Sequence, residues 1–395
     1  MGLLSMALRN IRTRLISSCL TATGVALGIG LVVAVWTLER EARDAFRRTA
    51  VGVEVLVGGN KGGRIELMLS TLYHVGRAPG RVAWDAYEKI AADPRVRFAV
   101  PVAVGDRYRG LPVVGTTGRF FDEFGAFGVE GFGEEPRAAI IGSEAAGRSG
   151  LGVGDRFHPS HSGHPDDPTH RHEEFVVTEV ARATGTAHDR AIWVRIEDFL
   201  ALSGHDGLAR DGAEQRAVSA VLVKTTSGSP LVVEPLIKEI NDGTEAQAIR
   251  PLQVVGELFV LVGNAQRVLA AVAWLVVVVA SLSVAVTLYH AMASRRRQIA
   301  ILRSLGATRA RVFGVVLFEA VLICVAGALA GLLLAHTGAV VAAPLLESRA
   351  GIVIERAWMP HASEVVLVVL VALAGACAGL IPAWTAYRSD IAAQL

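Results

Sequence analysis

Five histidines fall within residues 158–172 of this chain: His158, His161, His164, His170 and His172, nearly half of its eleven. Asp166, Asp167, Glu173 and Glu174 accompany them. Imidazole nitrogens and carboxylate oxygens together make a ligand set for Zn(II), and imidazole also suits Cu(II) and Ni(II). Pro159, Pro165 and Pro168 exclude a continuous helix or a central strand. The tract is therefore predicted as a loop between a strand ending at Phe157 and another starting at Phe175. Such a loop can gather three or four ligands around one zinc ion. It can equally be a solvated, pH-sensitive surface whose histidines never converge.

Two further groups could do chemistry. Glu319 stands inside a long apolar run, eight residues past Arg311 and so about 12 Å along a helix. A carboxylate at that depth is costly and is seldom left facing lipid. It is predicted to tie two helices together, or to meet a neighbouring chain's arginine; the alternative is a side chain snorkelling to the inner interface. No series of acidic residues continues from it as a proton path. The second group is the segment SRRRQIAILRSLGATRAR, residues 294–311, which carries six arginines and no acid. Its centre is built of good helix formers that Gly306 stops. Ile299 and Leu302, with Leu305, share one face at helical spacing. That face needs a partner, either the lipid headgroup region or another protein.

These groups must be positioned by elements that the composition already constrains. The chain has 395 residues and is 52% hydrophobic, with a net charge of +2. It is too apolar for one soluble domain, and its charge points to no strongly basic or acidic partner and no nucleic acid. Residues 1–14 form a basic, amphipathic, cytoplasmic start. Residues 15–38 contain no charge and are long enough to span the hydrocarbon. A cleaved signal peptide is the competing reading, and the length of the run favours a retained anchor. Three more spans are predicted at 268–293, 312–338 and 365–387, with residues 294–311 as a cytoplasmic loop, 339–364 as a short outer loop and 388–395 as a cytoplasmic tail. Arginines flank the same ends of all four, which places both termini inside.

Residues 39–267 are the polar part, placed outside, with helical stalks at each end. Short β-type runs alternate there with helical stretches, punctuated by Gly and Pro, so the fold class is a four-helix membrane protein with a large α+β domain inserted between helices 1 and 2. The domain is long enough for two subdomains, yet no linker divides it. Cys19, Cys324 and Cys377 all lie in apolar runs, so neither a disulfide framework nor a cysteine zinc site is expected. Gly327 and Gly331 on the third span, and Gly375 and Gly379 on the fourth, give G-x-x-x-G faces. They are predicted to pack those two spans tightly against each other.

Several stretches resemble the FtsX/MacB-type permease superfamily of ABC transporters. RRRQIAILRSLGATRARVFGVVLFEA (residues 295–320) resembles its loop-and-third-helix signature, R-x-x-E-I-G-I-L-[RK]-A-[IL]-G-A. GLIPAWTAYRSDIAAQL (379–395) resembles its closing segment. AIIGSEAAGRSGLGVGDRF (139–157), followed by FVVTEVARATGTAHDRAIWV (175–194), is similar to its periplasmic core. The N-terminal MALRNIRTRLISSCLTATGVALGIG is also similar. Gln298, Ala300 and Ile391 depart from the pattern, which has Glu, Gly and Pro there. The histidine tract is not part of the signature.

The resemblance implies a permease subunit of the bacterial inner membrane, not an enzyme, with no cofactor of its own. The run Gly58-Gly59-Asn60-Lys61-Gly62-Gly63 lacks the spacing of a phosphate-binding loop and the hydroxyl after its lysine. ATP and Mg would therefore sit on a partner ABC ATPase. The resemblance makes residues 294–311 the coupling helix, with Arg297, Gln298, Ile299, Leu302, Arg303 and Gly306 at the ATPase. It further implies a homodimer or a heterodimer with a second permease, set in lipid, and allows an outer partner protein. The activity implied is export, extraction or mechanotransmission. A non-transporting regulator of an outer enzyme, or a metal-handling system using the histidine tract, is the alternative.

Overall fold

The structure is a computed structural model that describes residues 3–124, 127–160, 173–202, 216–294, 308–350 and 360–388. The described residues fall into two compact units, divided at Glu41/Ala42, at Leu261/Val262 and at Ser348/Arg349. A short amphipathic helix, α1 (Leu3–Thr13), precedes four helices long and apolar enough to cross a membrane. The first of these, α2 (Leu15–Ala50), is followed by the whole of the α/β domain.

That domain runs β1 (Val55–Gly59), α3 (Arg64–Leu72), β2 (Val82–Ala83), α4 (Trp84–Ala91), β3 (Val96–Tyr108), β4 (Leu111–Thr116), α5 (Arg119–Phe124) and β5 (Ala138–Ile141). It continues with α6 (Ser143–Ser149), β6 (Arg156–Phe157), β7 (Phe175–Val180), β8 (Ile192–Arg195), α7 (Ile196–Leu200), β9 (Ala217–Val218), β10 (Ala220–Thr225), α8 (Pro230–Asp242) and β11 (Ala246–Ile249). Then come α9 (Pro251–Ser294), α10 (Arg309–Ala350) and α11 (Ala362–Arg388).

Nine strands form one sheet in the order β11-β1-β10-β3-β4-β8-β5-β7-β6. The strand β3 explains why no linker divides the domain. Its first half, Val96 to Val102, pairs with β10, and its second half, Ala103 to Tyr108, pairs with β4. Gly105 stands where the register slips between Val104 and Asp106, and an extra residue of this kind bends and twists a strand. One strand thus serves two half-sheets.

Both faces of the sheet are covered, so its strands are apolar runs rather than alternating ones. Leu56, Phe98, Val100, Val114, Ile140, Trp193 and Leu222 pack with α3, α5 and the start of α9 on one face. Val55, Val57, Val113, Ile141, Val177, Val194 and Val221 pack with α6, α7 and α8 on the other. Each such side chain, once buried, contributes about 1.5–3 kcal/mol. Helix ends follow local chemistry: the Ser229 hydroxyl accepts from Leu231 N at the start of α8, with Pro230 at its first position.

Two boundaries differ from the sequence expectation. Residues 258–267 are not a separate stalk, because α9 is one helix from Pro251 to Ser294. The third apolar stretch does not stop at 338, because α10 runs to Ala350 and carries Pro344 within it. Glu347 and Arg349 read as loop residues on composition, yet charge alone does not end a helix.

Two glycines near the domain's core separate steric demand from mere flexibility. A Cβ on Gly142 would lie 2.3 Å from Asp189 O, whereas one on Gly147, inside α6, meets nothing within 4 Å. Gly142→Ala is expected to destabilise the domain by about 2 kcal/mol or more through a backbone clash. Gly147→Ala should be neutral, or stabilising by about 0.5–1 kcal/mol. Thermal melting of the two purified full-length variants checks this; equal melting temperatures would contradict the clash.

Candidate functional site

The membrane helices contain apolar residues almost throughout, so their few polar contacts define the places where relative movement could be sensed. Glu319, near the start of α10, is 6% exposed. Its Oε2 accepts a hydrogen bond from Asn10 Nδ2 on α1 at 3.3 Å. The carboxylate therefore ties α10 to the amphipathic N-terminal helix. Next to that tie, Arg14 Nη2 donates to the carbonyl oxygen of Ala291 on α9 at 3.1 Å.

A second polar group of residues lies toward the other end of the same helices. His336, about 26 Å further along α10 than Glu319, has its Nε2 3.0 Å from Glu364 Oε2 in the first turn of α11. Glu364 is buried and His336 half-buried. Arg40 Nη2 on α2 donates to Ser363 Oγ on α11 at 3.0 Å. Gln266 Nε2 on α9 donates to Glu39 Oε2 on α2. All four spanning helices are thus linked by polar side chains at one level. Each pair joins residues tens to hundreds of positions apart, so sequence spacing could not reveal it; the signal available was an ionisable His336 within an apolar run.

Between these two levels the helices are held by small residues. Gly327 and Gly331 do not face α11, as the sequence suggested, but α2. A Cβ on Gly327 would sit 2.7 Å from Ala22 O, and one on Gly331 2.6 Å from Ala26 O. Gly375 and Gly379 on α11 do face α10, where added Cβ atoms would sit 2.7 Å from Cys324 Sγ and 2.8 Å from Ala320 Cβ. The glycine motifs do not meet each other: α10 presents glycine to α2 and alanine and cysteine to α11. An apolar groove of about 680 Å³, lined by α2, α9 and α10 and including Gly30, Ala34, Ala335 and Gly338, adjoins the first of these contacts.

The remaining sites are placed as follows. Arg297, Gln298, Ile299, Leu302, Arg303 and Gly306 lie outside the described residues, as do His161, His164, His170 and His172. His158 follows β6, with Nε2 3.6 Å from Glu174 Oε1, and the same carboxylate forms a 2.7 Å ion pair with Arg156. Among the described residues no group of three His, Cys, Asp or Glu side chains could hold a metal ion. Cys19, Cys324 and Cys377 are free thiols. The glycine run after β1 is packed rather than open: Cβ atoms on Gly59 and Gly62 would meet Arg81 N and Pro79 Cβ, each at 2.3 Å. Its glycines serve a close crossing of two backbone segments.

Two family comparisons match the chain. Residues 18–236 match the MacB-like periplasmic core domain, and residues 270–391 match the FtsX-like permease C-terminal domain. A search of curated proteins returns no match.

Removing one partner from a buried polar pair leaves the other without compensation. A double-mutant cycle with His336→Ala and Glu364→Ala, read by thermal unfolding in detergent, should give a coupling of about 1 kcal/mol or more. Additive effects would show that the two side chains contribute separately. Gly331→Val should lower the melting temperature, and Gly338→Ala, whose Cβ meets nothing within 4 Å, should not.

Proposed function

Because the chain belongs to the FtsX/MacB family of ABC-transporter permeases, we propose that it is the membrane subunit of an ABC system and has no catalytic activity of its own. A separate ATPase subunit hydrolyses ATP with Mg, and this chain converts that cycle into movement of its α/β domain. The domain lies outside the cytoplasmic membrane and both termini lie inside. The arginines at 9, 12 and 14, at 295–311 and at 388 support that orientation. Two copies, or this chain and a related permease, form the membrane assembly. The result is export, extraction or mechanical signalling on the outer side.

The observation that carries this reading is the continuity of α2 and α9. Each is a single helix, of 36 and 44 residues, or about 54 and 66 Å long. Each contributes residues to both compact units, which divide within these helices. A helix with no break passes a displacement along its length with little loss, because every turn is fixed by its own hydrogen bonds. The segment at 294–311, which directly follows α9, is where the ATPase would apply that displacement. The polar pairs Asn10–Glu319 and His336–Glu364 give the moving helices defined contacts at two levels rather than a greasy, continuously sliding surface.

The coupling role is tested at Leu302. Leu302→Asp would place an unpaired charge in the ATPase contact, costing about 3 kcal/mol or roughly a hundredfold in affinity. Co-purification of the ATPase and its permease-dependent ATP turnover should fall, while the chain still inserts in the membrane. Unchanged association and turnover would assign that face to lipid.

A further inference from the structure

Two histidines outside the tract at 158–172 are fully enclosed in the α/β domain. His74 follows α3 and His188 sits in the 3-10 turn Ala187–Arg190; they are 8% and 5% exposed. Their ring centres are 5.6 Å apart. Trp193 lies 5.7 Å from the first and 5.5 Å from the second, and Phe120 and Phe127 pack against His188. Among the described residues, neither nitrogen of His74, nor Nδ1 of His188, has a hydrogen-bond partner. His74 also holds a left-handed backbone, with φ at 57°, a conformation that costs energy and persists only when its surroundings enforce it.

The segments that carry these two rings have a shared task. Tyr73 Oη donates to Phe46 O at 2.6 Å, and Ala187 N donates to Thr49 Oγ1 at 3.1 Å. Arg48 Nε donates to Gly185 O at 3.4 Å. Phe46, Arg48 and Thr49 are all in the last two turns of α2. Tyr73 and Phe46 also stack, with ring centres 4.4 Å apart. A cavity of about 20 Å³ lies in this seam, lined by residues that include Phe46, Thr49, Tyr73, Val75, Ala187 and Arg190. Both histidines are thus adjacent in sequence to groups that grip the end of the first membrane helix.

We propose that His74 and His188 form a proton-operated clasp on the end of α2: charging either ring releases the segments around 73–75 and 184–190 from that helix end. The device goes beyond the permease role and does not depend on which ATPase drives the chain.

The electrostatics around the pair support it. The charged groups that act on the pair are Arg107 on β3 and Arg190 on the turn; Asp189 is next to His188 and Tyr73 next to His74 in sequence, and Arg48 on α2 is bonded to Gly185 O. The Asp189 carboxylate is already engaged, accepting from Thr184 N, Thr184 Oγ1 and Gly185 N. Burial holds the His74 ring well below the usual imidazole range, and His188, Arg190 and Arg107 push it further down. Burial lowers His188 to about 4. An imidazole exposed by opening returns to about 6.5. The closed form therefore binds fewer protons than the open form. Its stability is fully present above pH 6.5 and is lost as the pH falls from there toward 4. With the values for His188 alone, the opening constant rises about 30-fold between pH 7.5 and pH 5, and His74 adds to it.

The test is amide hydrogen exchange on the full-length chain in detergent or nanodiscs between pH 7.5 and 5, with rates corrected for intrinsic exchange. Peptides covering 44–50 and 184–191 should lose protection about 30-fold or more, while β10 keeps its own. His188→Phe, which retains a ring among Phe120, Phe127 and Trp193, should blunt that response. His74→Asn, which tolerates the left-handed backbone, should blunt it as well. Clasp peptides that stay protected at pH 5 would overturn the proposal. So would protection lost together in the clasp and β10, which means acid unfolding of the whole domain, or variants that respond like the parent chain. If a variant does not fold, the parent chain's clasp-against-β10 comparison decides. Ring signals of His74 and His188 that titrate near 6.5 while the clasp is still protected would also overturn it.

Discussion

In hydrocarbon there is no hydrophobic effect to draw one helix toward another, so the membrane half of this chain coheres through contacts close enough for backbones to touch. Gly327 and Gly331 let α10 lie against the carbonyls of Ala22 and Ala26. Gly375 and Gly379 let α11 lie against Ala320 and Cys324. With α10 wedged between two neighbours in this way, the positions of Glu319 and His336 are fixed, and so are the polar partners that come to meet them. The small residues decide the geometry, and the polar residues at either level set its register.

The α/β domain obeys the opposite rule. Water is its reference solvent, and its two large apolar clusters on either face of the sheet supply the driving force. The long strand β3 makes this possible in one piece. By pairing with β10 over one half and β4 over the other, it lets a nine-stranded sheet form without a seam between halves. Chain segments far apart in sequence, such as those around His74 and His188, are consequently brought to one place beneath the end of α2.

Much of this was legible in advance. Long uncharged runs, an arginine bias and recurrent Val-rich segments define four spans and an inserted α/β domain, and one strand ends at Phe157 and another starts at Phe175, where the sequence places them. What was not legible depends on partners. A G-x-x-x-G face announces that something small is needed, not which helix will come to it, so the glycines of α10 were assigned to the wrong neighbour. Glu319 announced a tie, but Asn10 lies 309 residues away. The continuation of α10 past 338 was missed because Glu347 and Arg349 suggest a loop, whereas helix formers around them carry the helix on. Helix α3 follows a glycine-rich run whose close crossing with residues 79–81 depends on a segment the sequence alone does not bring to it. The residues proposed to meet the ATPase, and four of the five clustered histidines, lie outside the described residues, and their reading still rests on the sequence.

The histidine tract enters the sheet at a telling position. It joins β6 to β7, and β6 is the end strand of the nine among the described residues, with Ser160 just beyond it bridged back to Arg107 on β3. A connection at the end of a sheet is the cheapest place to lengthen, since each doubling of a loop's length costs only about 0.6 kcal/mol in closure entropy. Evolution can therefore extend, shorten or rewrite this stretch with almost no penalty to the fold. Chemistry added at this end of the sheet would leave the four long apolar helices as they are.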